Sequence, residues 1–199
     1  MRVKSHWFKP DRPKSPEEVA GAVAFIAWKV AQNALKRMRK AGFDIDPGPA
    51  YFAFLAETLV FCVQVAWRHA HGHFDEAGAL AFMTVLANRC GETLAGNHED
   101  LLGGPGQGAV KSAFIVRVNE ALGEYADFGH GTDGPDFAFL RYYASRVAEL
   151  MVEKDRHWTY DQVIAIEAPE AAATIARAFA NLHDTGPGRR PRRARTTGD

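Results

Sequence analysis

Along most of this chain apolar residues recur at steps of three and four, the spacing of one helix face, and no run alternates with the period of two that a half-buried strand shows. The first helix is announced at Ser15-Pro16-Glu17-Glu18: a Ser cap, a Pro where no amide partner is missed, and acids facing the positive end of the dipole. It should run to about Gly42, with Lys36, Arg37, Arg39 and Lys40 suiting the negative end. A loop carrying Pro47 and Pro49 leads into a second helix from about Ala50 to His71. Between Ala50 and Trp67 its only polar members are Glu57, Thr58 and Gln64, so it is expected to be the central, most buried helix.

Asp75 caps a third helix expected to end near Ala95, with Gly96 as its stop and 97–108 as a Gly-rich loop. The fourth, about Ala109 to Asp127, lines up Val110, Phe114, Val118, Ala121, Leu122 and Tyr125 on one face. A second Gly-rich turn covers 128–134. Pro135 opens a fifth helix in which Phe137, Leu140, Ala144, Val147 and Met151 recur at helical spacing. Thr159-Tyr160-Asp161-Gln162 reads as the capping box of a sixth, which Pro169 should kink before it ends near Leu182. The pattern predicts an all-α fold: a single-domain bundle of about six mostly antiparallel helices over 15–184, between a basic N-terminal arm (1–14) and a disordered Arg-rich tail (185–199).

Composition and charge add further constraints. Hydrophobic residues make up 47% of the 199 positions, which is globular rather than disordered. The two cysteines, Cys62 and Cys90, lie inside apolar helical patterns rather than in a loop framework, so a reducing compartment, the cytoplasm, is expected. The basic start followed by apolar 19–31 imitates an export signal, but Glu17, Glu18 and Lys29 interrupt it and a helix cap precedes it. The apolar stretch of the second helix is short for a membrane span and holds the ionisable Glu57, so no span is expected. The formal net charge is zero, yet the two ends hold ten of the 24 basic residues. Residues 15–184 keep 14 basic and 22 acidic side chains, a net of −8, so nucleic-acid affinity would have to come from the ends, chiefly Arg189, Arg190, Arg192, Arg193 and Arg195.

Several clusters carry candidate chemistry. Gly103 to Gly108 is similar to a phosphate-binding loop, but Ala109 and Val110 separate the last Gly from Lys111 and no strand precedes it, so a flexible connector is expected. Arg68-His69-Ala70-His71-Gly72-His73 is the densest functional cluster. Alternate residues on a helix diverge, so these histidines share a metal only if the helix unwinds at Gly72. The spacing Arg68 to His73 also resembles the short Arg, four residues, His motif of the helical HEPN ribonucleases. That resemblance implies catalytic roles for Arg68 and His73 on an RNA phosphate, with Arg177 and His183 matching a five-residue version.

Glu57, Gln64, Arg68 and His71 stack in a narrow stripe on the second helix, either facing solvent or forming a polar seam that binds a ligand; a buried Glu57 must pair or have its pKa raised. In an alternating bundle one pole would gather His69, His71, His73, His130 and His183 with Asp75, Glu76, Asp127, Asp133 and Asp184. There His69, His130 and His183 are the candidate metal ligands, and the carboxylates should raise the histidine pKa values. The expected function is that of a non-catalytic α-helical interaction or accessory protein, self-associating through spare apolar helix faces. A HEPN-like ribonuclease and a ligand- or metal-binding bundle are the alternatives, and the sequence names no cofactor.

Overall fold

Ser15 Oγ accepts from the Glu18 amide while the Glu18 carboxylate accepts from the Ser15 amide, so the expected reciprocal cap starts helix α1 (Pro16–Lys40). At its end the Phe43 amide reaches back to the Met38 carbonyl and Gly42 takes φ 96°, a closure that glycine adopts without steric cost. The structure, a computed structural model, describes residues 13–104 and 106–183. The basic arm up to residue 12 and the Arg-rich tail lie outside the described residues. Within the arm Lys14 is described, and its Nζ donates to the Leu182 carbonyl at 3.1 Å, placing a cation at the end of the last helix.

Helix α2 (Pro49–His71) is the central element: it packs against α1 and against α3 (Glu76–Leu102), α4 (Gln107–Glu124), α5 (Phe137–Leu150) and α7 (Ala168–His183). Every residue from Glu57 to Ala66 is buried, as the lack of a polar face predicts. By length and composition α2 is apolar enough to cross a membrane, and 72% of that apolar window is covered by the rest of the bundle. Phe61 stacks on Tyr143 of α5 with ring centres 4.3 Å apart, and the Thr58 and Tyr143 hydroxyls bond at 2.8 Å, so α5 is held by both packing and polarity. Gly91 lets α4 approach α3 closely: a Cβ there would lie 3.2 Å from both Lys111 Cγ and Phe114 Cδ1.

Several boundaries differ from those expected: Pro135 does not open the fifth helix, which Asp136 caps, and α4 ends at Glu124 rather than near Asp127. Helix α3 passes through Gly96 and Asn97 and stops at Gly103, where φ is 63°. An interior Gly costs only about 1 kcal/mol, and Asn97 Nδ2 bonded to the Thr93 carbonyl and His98 packed 4.8 Å from Phe52 favour continuation. Thr159 does not cap a helix. Its hydroxyl bonds the Asp155 carbonyl from inside α6 (Glu153–Gln162), which follows Val152. Near Pro169 the helix widens rather than restarts: a π-helical turn, Val163–Glu167, joins α6 to α7, with the Ala168 amide reaching Val163. Proline has no amide to continue the ladder, and the wider turn absorbs the disruption. Counted as one rod, α6, the π turn and α7 make the sixth of six helices. The 128–134 turn contains a small antiparallel ladder, β1 (His130–Gly131) with β2 (Gly134–Pro135), His130 opposite Pro135.

Candidate functional site

The stripe on α2 turns out to be a polar seam directed at α4, α5 and the chain leaving α4. Glu57, with a side chain 8% exposed, accepts two hydrogen bonds from Arg117 of α4, Nη2 to Oε1 at 2.8 Å and Nε to Oε2 at 3.1 Å. Arg146 of α5 adds Nε to Oε1 at 3.1 Å. Arg117 and Arg146 are in turn held by Glu124 and Glu149. The Glu57 carboxylate is therefore paired, as burial demanded. Two turns along, Gln64 Nε2 donates to the Val118 carbonyl at 3.4 Å. Arg68 then places Nη2 on three carbonyls, those of Tyr125 at 2.6 Å, Ala126 at 3.2 Å and Phe128 at 3.3 Å. A guanidinium at these carbonyls fits the negative end of the α4 dipole.

His71 leaves the stripe: it is exposed, lies edge-on to Trp67 at 4.0 Å, and its Nδ1 meets the Trp67 carbonyl. His73 is also exposed, with Nδ1 at 2.8 Å from the His69 carbonyl, so the coil continues for one turn past Gly72 instead of opening into a metal-binding loop. The two members of the Arg, four residues, His motif thus have different tasks, Arg68 tying the chain after α4 and His73 closing α2. Lys111, which the structure places inside α4, pairs with Glu92 at 3.0 Å.

One expected encounter does occur at the pole. The end of α2, the β1–β2 hairpin, the end of α7 and the start of α3 meet, because the ring centres of His69 and His130 are 5.0 Å apart, His69 stacks on Phe179 at 5.4 Å, and Phe179 lies 5.2 Å from Phe82. The two Nε2 atoms, of His69 and His130, are buried without a hydrogen-bond partner. His183 ends α7 one turn beyond Phe179, and its side chain lies outside the described ones. Among the described residues no group of three or more His, Cys, Asp or Glu side chains converges on one point.

The expected pKa direction is overturned here. Burial, then the neighbouring His130 and His73, push His69 down to about 4, and burial with the nearby Arg68 lowers His130. Two acids near the pole cap helices. Asp75 caps α3, and Asp136 caps α5 while accepting the Gly129 amide. Desolvation, which penalises the charged ring, thus disfavours the cationic form of both imidazoles.

A second ion pair had no counterpart in the sequence reading. Glu167, in the π turn, has a wholly buried side chain and accepts from Arg37 Nη2 at 2.6 Å and Nε at 2.9 Å, with Gln162 Nε2 on its other oxygen at 3.1 Å. Beside it runs a shallow groove between α1 and α7, lined by Ile26, Lys29, Asn33, Arg37, Glu170 and Thr174 among others. Arg117, Arg146 and Glu167 were missed because their partners lie 60, 89 and 130 residues away. The one local clue was Arg117 flanking the apolar stripe of Phe114, Val118 and Ala121. No family model, curated protein or solved structure matches the chain.

Proposed function

We propose that this protein is a cytoplasmic, non-catalytic α-helical interaction module that self-associates through the outer face of α4. The observation that carries the reading is the sparse burial of that helix. Only Phe114, Val118 and Ala121 are buried among its 18 residues, while Val116 is 56% exposed. Ala109, Val116 and Gly123 recur every seven positions, with Ser112, Ala113 and Asn119 exposed between them. This is the repeat of a helix seam, and its small residues favour close approach of a second helix. Glu120, one turn beyond Val116, is the one charge in the strip, on a body of net charge −8. In a symmetric dimer the same patch faces itself, so a strip whose one charge is Glu120 is where two acidic copies meet at low electrostatic cost.

Sedimentation equilibrium on the full chain tests this. A dimer is expected, converted to monomer by Val116→Glu with an unchanged helical circular dichroism spectrum. A monomeric wild-type chain, or a dimer indifferent to Val116→Glu, would sink the reading.

A further inference from the structure

We propose that His69 and His130 together bind a divalent transition-metal ion of the zinc class through their Nε2 atoms. Buried polar atoms in folded proteins are nearly always bonded, and each one left without a partner costs about 1–3 kcal/mol. Here two such atoms, of the same ligating type, lie on rings that touch one another. Two imidazoles bound at about 2.0 to 2.1 Å to one tetrahedral ion have ring centres about 5 Å apart, and these stand at 5.0 Å with their planes at 88°.

Both rings are held from behind. His69 stacks on Phe179 at 5.4 Å, and His130 lies 6.2 Å from Phe139, contacts that restrain both rings. The protein supplies two ligands from separate elements, the end of α2 and the β1–β2 hairpin, and water would complete the coordination of the bound ion. Neutral imidazole is the ligating form, and the burial that disfavours protonation keeps it available. The Arg68 guanidinium nearby opposes a dication, which sets the affinity as modest. Binding would pin the hairpin to α2, so the ion would stabilise the folded chain by mass action.

The test uses the full chain freed of metal by chelation and then titrated with Zn²⁺ alone, followed by calorimetry and by the thermal midpoint. One equivalent should bind and raise the midpoint, and His130→Ala or His69→Gln should each weaken binding by about tenfold or more. His71→Ala, an exposed neighbour, should leave it unchanged. The proposal is overturned if no saturable binding occurs, if binding survives His130→Ala, or if His71→Ala removes it equally, which would leave the two rings as an edge-to-face contact only. Should the variants fail to fold, Cu²⁺ added to the wild-type chain decides the matter by nuclear magnetic resonance. Selective broadening of the His69 and His130 ring signals supports the site, and broadening confined to other histidines overturns it.

Discussion

Glu57 on α2 and Arg117 on α4 face each other as a carboxylate and a guanidinium fork, joined by parallel hydrogen bonds of 2.8 and 3.1 Å, with Arg146 of α5 completing a three-helix junction. A carboxylate shared by two guanidinium groups fixes which faces of α2, α4 and α5 meet. It does so with directional bonds that apolar packing cannot supply.

Removing one member of the junction should be costly because it leaves the others desolvated without a counter-charge. Glu57→Ala is expected to destabilise the domain by about 3 kcal/mol, read as a lower urea midpoint. Replacing Glu57 and Arg117 together by Met should cost far less than the sum of the single changes. Additive losses would show that the pair is not coupled.

Leu59 and Phe61 are both fully buried at the centre of α2. Leu59→Ala and Phe61→Ala should each lower stability by about 2–5 kcal/mol, the range for large-to-small changes in a packed core. Losses below about 0.5 kcal/mol are those of surface sites and would contradict the central position of the helix.

Arg68 ties three carbonyls beyond α4 to α2. Arg68→Ala should cost about 1–3 kcal/mol and speed amide hydrogen exchange between residues 125 and 131. Arg68→Lys should recover only part, because an ammonium lacks the planar fork. Unchanged exchange in Arg68→Ala would remove this clamp from the account of the pole.

Asp136 gives the fold an acid-sensitive start to α5. Its bond from the Phe139 amide, aided by that from the Gly129 amide, holds the carboxyl below its ordinary 3.8. A depressed carboxylate contributes stability that is present above its unfolded pKa and is lost as pH falls through the lowered folded value. Asp136→Asn keeps a capping side chain but cannot titrate, so its stability should decline less steeply below about pH 4. Parallel wild-type and variant curves in an acid series of thermal melts would refute the assignment.

The sequence alone determined the class of fold and most of the helix starts, because the signals are local. Ser15 and Asp75 cap amides three residues away, and the apolar steps within each helix repeat inside a few turns. Wherever a helix boundary depended on a distant neighbour it could not be read, as at Gly96, where α3 runs on past a residue that usually ends helices and carries His98 against Phe52. The polar stripe was also legible, since Glu57, Gln64 and Arg68 share a face by spacing alone.

Only the tertiary structure decided what that face meets. Arg117 and Arg146 are 60 and 89 residues from Glu57, and charges so far apart in sequence leave no periodic trace. The same holds at the pole. Sequence placed histidines among carboxylates and anticipated raised pKa values, whereas packing set His69 against Phe179 and His130, so that desolvation lowers its pKa. Helix formation depends on neighbours within four residues, which a sequence displays directly. Charge pairing and burial depend on which surfaces are pressed together, and the packing of the whole bundle decides that.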